Sequence, residues 1–122
     1  MQRVKIIEDE IKQDKARFVA LHLETKNADL VLLSEDEDQL GTLAVAIPRK
    51  EKMLGPPTST ILLGDRNVIV ARLLAERLAE KTGKIALTSV FAKTVAENNA
   101  GSVFLKLFDK TINKKVEKEK EI

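Results

Sequence analysis

The 122-residue sequence contains no cysteine, tryptophan or tyrosine, and only four phenylalanines. The lack of cysteine excludes disulfides and thiolate metal sites, and it favours a reducing compartment. No apolar run approaches the ~20 residues that a membrane-spanning helix needs, and the N-terminal residues do not resemble a signal peptide. We therefore expect a cytoplasmic protein with a single domain and no membrane partner.

The sequence also lacks an excess of charge of one sign. Its net charge is +2 although 33% of its residues are charged. Acidic residues interrupt the basic runs, so no broad cationic surface is predicted, and the phenylalanines lie in apolar patterns and not where they would stack on bases. Nucleic-acid binding is therefore not expected.

The first half of the sequence has the pattern of β-strands. Short apolar or alternating runs, separated by polar turns, occupy residues 4–8, 17–24, 30–33 and 43–47. These runs predict a four-strand antiparallel meander in which the acidic segment Glu35–Asp38 forms a hairpin turn. A basic loop, residues 49–57, leads to a fifth strand at Thr58–Leu63.

The apolar period then changes to that of a helix. Ala71, Leu74, Ala75 and Leu78 recur at helical spacing, with Asp65 as a candidate N-cap and Gly83 as a left-handed stop. A sixth strand is predicted at residues 85–91. A last helix is predicted to begin near Ser102, although alternation over residues 103–107 leaves a strand open.

These elements predict an α+β fold. It is a single domain, residues 1–113, with a six-stranded mainly antiparallel sheet (the four-strand meander, then strand-helix-strand) and a C-terminal helix. Residues 114–122 are predicted to form a charged C-terminal tail, because nearly every residue there carries a charge.

Three of the strands are continuously apolar, which is typical of strands covered on both faces. They are residues 30–33, 43–47 and 61–63. Because two helices cannot easily cover both faces of six strands, we expect one face to meet another protein, with Val31 and Leu33 at a dimer interface. The alternative is that the helices and the long loop cover more of the sheet.

No arrangement of catalytic, cofactor-binding or metal-ligating residues is evident. His22 is the single histidine and lies between Leu21 and Leu23, so a structural or surface role is expected and not a catalytic triad or zinc site. The acidic turn at residues 35–38 lacks the central glycine of a calcium loop. No P-loop, G-x-S-x-G or paired-histidine motif is present. We therefore expect that the protein is not an enzyme and binds no cofactor. The alternative is a small-molecule-binding or enzymatic domain whose site the sequence does not reveal.

Two stretches resemble the proteasome assembly chaperones three and four, most closely the third, as an archaeal-type homologue. The first is Asp29-Leu-Val-Leu-Leu-Ser34, a polar turn, and Leu40-Gly-Thr-Leu-Ala-Val-Ala-Ile-Pro48. The second is Thr58-Ser-Thr-Ile-Leu-Leu-Gly-Asp65, followed by the amphipathic helix and the sixth strand. The residues that match this family are Gly41, Thr42, Thr58, Leu62, Leu63 and Gly64.

The resemblance implies a non-enzymatic dimer that helps proteasome α subunits assemble into a ring and then departs. Its expected partners are the α subunits and a second chain, in a homodimer or a paralogue heterodimer. The loop residues Lys50, Lys52, Met53 and Leu54 are the candidate protein-binding site, because Met53 and Leu54 are apolar within a polar loop. The alternative is a dimeric scaffold or regulatory module that serves another complex.

Overall fold

The segments with a strand pattern form β-strands, and the segments with a helical period form helices. A computed structural model describes residues 3–13, 15–49, 57–93 and 97–120 of the chain. Its elements are β1 (Lys5–Gln13), β2 (Ala16–Glu24), β3 (Ala28–Glu35), β4 (Thr42–Ile47), β5 (Thr58–Leu63), α1 (Val68–Thr82), β6 (Ile85–Phe91) and α2 (Glu97–Lys120). The predicted α+β fold with six strands and a C-terminal helix is confirmed.

The six strands form one sheet in the order β1-β2-β3-β6-β4-β5. All neighbouring pairs are antiparallel except β3 and β6, which are parallel. The predicted meander therefore ends at β3, because β6 inserts between β3 and β4. Residues 35–38 consequently do not form a hairpin turn, since the strands on either side of them are not neighbours.

The connection from β3 to β4 crosses the end of β6, and two serines hold it there. The Ser34 hydroxyl bonds the backbone of Gln39 at 3.1 Å, both as donor and as acceptor. The Gly41 N–H donates to the Ser89 hydroxyl at 2.8 Å. Gly41 runs so close to β6 that a side-chain Cβ there would lie 2.8 Å from the Phe91 Cα, so only glycine fits this crossing without a backbone shift.

Both helices pack on the same face of the sheet. The Phe18 ring of β2 meets the Phe104 ring of α2 edge to face, with centroids 5.6 Å apart, and Thr88 of β6 donates to the Ala71 carbonyl of α1 at 2.6 Å. The buried core between the sheet and the helices includes Ala20, Val31, Leu33, Ala44, Ala46, Leu74, Leu78, Ala86, Val90, Val103, Leu107 and Phe108. Small residues on β4 and β6 let α1 approach the sheet closely.

The starts of both helices differ from the sequence-based expectation. Helix α1 begins after Asn67, whose backbone is in the left-handed conformation, and not after Asp65. The predicted end of α1 at Gly83 is confirmed, and the Gly83 N–H donates to the Ala79 carbonyl at 2.8 Å. Helix α2 begins at Glu97 and not at Ser102. A Cβ atom added at Gly101 would lie 3.3 Å from the Val70 Cγ2 atom of α1, so glycine lets the two helices pack closely there. This packing outweighs the low helix propensity of residues 98–101. The helix also continues past residue 114.

Candidate protein-binding surface

The two residues predicted to form a dimer interface lie inside the core. Val31 and Leu33 point toward the helices and are 0% exposed. This corrects the expectation that they lie on a free face of the sheet. Their sequence neighbours Leu30 and Leu32 point to the opposite side and are half-buried, because successive side chains of a strand alternate between faces.

The opposite side of the sheet is covered by neither helix, and we call it the open face. Strand β4 shows most clearly that this face is apolar. The side chains that β4 turns toward the helices are the small Thr42, Ala44 and Ala46 of its alternating burial pattern. Its larger aliphatic side chains point to the open face, where Ile47 is 60% exposed. A sheet face that is only solvated carries polar residues instead.

The strand register joins these side chains into two rows across the sheet. One row follows the directly opposed partners Ile6, Leu23, Leu30, Leu87, Val45 and Thr60. The next row follows Glu8, Leu21, Leu32, Ser89, Leu43 and Leu63. Aliphatic side chains thus continue from one edge of the sheet to the other, and Leu62 and Leu63 of β5 are exposed at the far end.

Charged residues of β1 border the apolar part of the open face. Glu8 and Glu10 are exposed there, and Arg17 pairs with Glu10 through a 2.7 Å contact between Nε and Oε2. An apolar centre with a polar border is the composition of protein interfaces.

The size of the open face suits a protein partner. Six strands spaced about 4.8 Å apart and about 20 Å long have a flat area of roughly 550 Å². Side-chain relief increases the area that can be buried toward the ~800 Å² that each partner of a stable complex contributes. Burial of apolar surface contributes about 25 cal/mol per Å², so this face can supply a large favourable term for association.

His22 belongs to a buried polar network on the helical side of the sheet. Its Nε2 lies 3.0 Å from Asp29 Oδ1; since an ionised carboxylate only accepts, His22 donates this bond. Lys84 Nζ lies 3.3 Å from Asp29 Oδ2 and donates to the Thr25 carbonyl at 2.9 Å. Burial by itself would raise the pKa of Asp29, but the hydrogen bond from His22 and the charge of Lys84 outweigh it, so the pKa lies below its ordinary value.

Two residues of this network, with Glu24, have ligand atoms grouped as in a cation site. Ligand atoms of His22, Glu24 and Asp29 lie within 4.8 Å of one another. However, the Lys84 ammonium is already the cation beside Asp29, and a metal ion there would be repelled by it. We therefore assign the network a structural role that ties β2 and β3 to the turn before β6, which agrees with the structural histidine expected from the sequence.

The other segments considered as sites lie apart from the open face or outside the described residues. The loop candidates Lys50, Lys52, Met53 and Leu54 fall outside the described residues and stay a prediction. Two residues of the acidic segment 35–38 contact Lys93 of the same chain. The Glu35 carboxylate accepts from the Lys93 N–H at 2.9 Å, and the Asp36 carboxylate lies 3.5 Å from the Lys93 ammonium. Neither helix, within the residues described, is long and apolar enough to cross a membrane.

The family model of proteasome assembly chaperone 4 matches residues 12–90 of the chain. The chain belongs to the proteasome assembly chaperone 4 family. This confirms the resemblance to chaperones three and four, and the matching model is that of the fourth. The family is one of chaperones and not of catalysts, so the chain is a non-enzymatic member. A comparison with curated protein sequences finds no match.

A solved structure has the same fold. A chain of a novel chaperone complex for yeast 20S proteasome assembly matches with a TM-score of 0.68, covering 92% of this chain and 94% of that chain, at 14% sequence identity. At this identity the likeness concerns the arrangement of strands and helices. It agrees with the six-stranded sheet and the two helices on one side.

Two of the stretches that carry the family resemblance meet in the fold, at Gly64 and Thr42. Gly64 follows β5 with a φ of +92°, and a Cβ at this position would lie 2.6 Å from the Thr42 Cα. Gly41 is the crossing point over β6. These glycines are thus conformational residues that let β4, β5 and β6 approach one another, and they explain why the Gly-Thr and Leu-Leu-Gly stretches belong to one structural unit.

Proposed function

We propose that this chain assists assembly of the proteasome α-subunit ring in the cytoplasm, as a dimer and through protein binding alone. The observation that carries the proposal is the open face: a family member devoted to proteasome assembly has two rows of aliphatic side chains that neither helix covers. The buried polar cluster among the described residues, His22, Asp29 and Lys84, makes contacts that hold the fold together.

The occupant that best fits the open face is the equivalent face of a second chain. A domain consists of packed layers, and the layer that suits an aliphatic sheet face is a helix pair or another sheet. Two such faces pack about 10 Å apart with interdigitating side chains. Because the central rows of this face contain no charged residue between β2 and β4, a second copy meets it without burying like charges.

This arrangement leaves the rest of each chain for the α subunits. The helical side, the loops and the charged border at β1 remain outside a sheet-to-sheet contact. A chaperone that must depart needs moderate, reversible affinity, which polar contacts on such surfaces supply. The client contact predicted for Lys50, Lys52, Met53 and Leu54 remains a proposal, and exchange of Met53 and Leu54 for serine is the variant that examines it.

The proposal is tested by co-expressing the tagged full chain with the proteasome α and β subunits of its own source. We expect the chain to co-purify in fixed stoichiometry with α subunits and with α rings that lack β subunits, and to be absent from the complete particle. Native mass spectrometry of the eluate measures both.

Two results would contradict the proposal. One is recovery of the chain free of α subunits although α rings form in the same cells. The other is stoichiometric retention in the mature particle, since an assembly factor leaves before completion. Capture of another defined complex in place of α subunits would favour the scaffold alternative.

A further inference from the structure

The two edges of the sheet are built differently. At the β1 edge, Lys110 of α2 donates to the Glu10 carbonyl at 2.8 Å and Lys114 donates to the Glu8 carbonyl at 2.7 Å. Lys110 also lies 3.2 Å from Asp9. Strand β1 therefore has charged side chains along its length and lysine ammonium groups on its backbone carbonyls, which is how proteins prevent an edge from pairing with another strand.

The β5 edge has none of these protections within the described chain. Its sequence, Thr-Ser-Thr-Ile-Leu-Leu, contains no charged residue, no proline and no glycine. Thr58, Thr60, Leu62 and Leu63 are exposed, and β4 is the one described strand with which β5 pairs. Threonine and isoleucine favour the extended conformation. Because no second described strand pairs with β5, its outer side is an open edge of the described sheet.

We propose that β5 pairs antiparallel with β5 of a second copy of this chain, across a two-fold axis perpendicular to the sheet. A self-pairing edge must avoid like charges, and β5 brings none. On the helical side, Arg72 and Glu76 both bond the Ser59 hydroxyl of β5. Their charges are opposite, so symmetry brings no excess of one sign to the seam.

The pairing closes after one step and does not form a fibre. The sheet, over the residues that the structure describes, has one open edge, and its other edge is blocked by Lys110 and Lys114. A perpendicular two-fold axis keeps the open faces of both chains on one side of the extended sheet. This edge contact is thus independent of the face-to-face dimer in the proposed function. Together the two contacts join two such dimers into a closed assembly of four chains with dihedral symmetry.

The experiment is sedimentation velocity of the full chain with edge and face variants. We expect the wild type to reach four times the 13.6 kDa of one chain. Thr60 lies at the β5 end of its row, as Glu8 lies at the β1 end of the other row, so a charge there is at the border of the face contact. Thr60→Lys and Thr60→Glu each place two like charges at the seam, and each should halve the mass. An equal mixture of the two variants should restore it, because opposite charges then meet across the strands. Asn113→Lys adds the same charge elsewhere and should leave the mass unchanged.

The variant Leu30→Lys separates the edge contact from the face contact, since Leu30 lies in the open face, three strands from the edge β5. It should also halve the mass, and the double variant with Thr60→Lys should sediment as one chain. The edge proposal is overturned if folded Thr60→Lys keeps the wild-type mass, or if mixing the two charge variants restores nothing. A mass that Thr60→Lys lowers and Leu30→Lys does not would support the edge contact and refute face pairing.

Discussion

At the scale of single residues, the unusual feature is a charged network inside an otherwise aliphatic layer. Asp29 is fully buried, and its charge is balanced by the His22 hydrogen bond and by the ammonium of Lys84 at the border of the core. A buried carboxylate without partners would cost several kcal/mol, so the three residues act as one unit that fixes β2, β3 and the start of β6 relative to one another.

Asp29→Asn should therefore lower stability at neutral pH and flatten its acid dependence. Loss of the charged hydrogen bonds should cost about 2 kcal/mol. The folded-state pKa of Asp29 is lowered, so the stabilisation from its charge is fully present above the unfolded-state pKa of about 3.9 and is lost as the pH falls through the folded-state value. Urea unfolding of both proteins between pH 7 and pH 2.5 measures this.

The wild-type free energy of unfolding should approach that of Asp29→Asn only below about pH 4. A difference between the two proteins that stays constant down to pH 2.5 would show that the charge of Asp29 contributes nothing. Asp65→Asn, at an exposed carboxylate next to α1, is the matched control and should leave the acid dependence of the wild type unchanged.

The sequence could suggest that His22 is structural but not what it contacts. Its sequence neighbours Leu21 and Leu23 point to the open face, whereas His22 points to the helices. Its partner Asp29 lies seven residues away, next to the apolar run of residues 30–33, and that run does not indicate what Asp29 contacts. The Lys84 contact depends on β6 lying beside β3, which no local pattern indicates.

At the scale of elements, the central feature is the insertion of β6 between β3 and β4. It forces the β3–β4 connection over the end of β6, where Ser34 and Ser89 hold its backbone. It also places the helical crossover α1 over the middle of the sheet, so that small residues on β4 and β6 are needed beneath it.

Gly41→Ala should destabilise the domain more than Gly83→Ala. At Gly41 the new methyl group meets the backbone of β6, which cannot yield without moving a central strand, so we expect a loss of about 3 kcal/mol. At Gly83 nothing lies within 4 Å of the added Cβ, and the left-handed backbone alone should cost about 1 kcal/mol. Thermal and urea unfolding of both variants measure the difference. Equal losses would mean that the crossing over β6 is not tight.

The elements themselves could be predicted from the sequence better than their order. The bounds of β5 and β6 and the stop of α1 at Gly83 follow from local chemistry, and all three agree with the structure. The order β3-β6-β4 depends on a parallel pairing between distant segments. The early start of α2 depends on Gly101 packing against α1, an interaction that propensity does not contain.

At the scale of the whole molecule, the described chain has two layers, helices packed on a sheet, and its second sheet face is apolar and covered by no described element. The continuous apolar runs of β3 and β4 predicted that some partner must cover the sheet. They could not assign sides, because a run that is apolar at every position has no alternation to read. The prediction for Val31 and Leu33 therefore chose the buried side of β3, whereas the register places Leu30 and Leu32 on the open face.

The most direct test of the central claim, that the open face binds a second chain, is the molar mass of the full protein in solution by light scattering. The account predicts that the wild type and Asn113→Lys have at least twice the 13.6 kDa of one chain. Leu30→Lys should keep its circular dichroism spectrum and have half the wild-type mass, whereas Val31→Lys, one residue away and fully buried, should unfold. A wild type of 13.6 kDa, or a folded Leu30→Lys with unchanged mass, would contradict the claim.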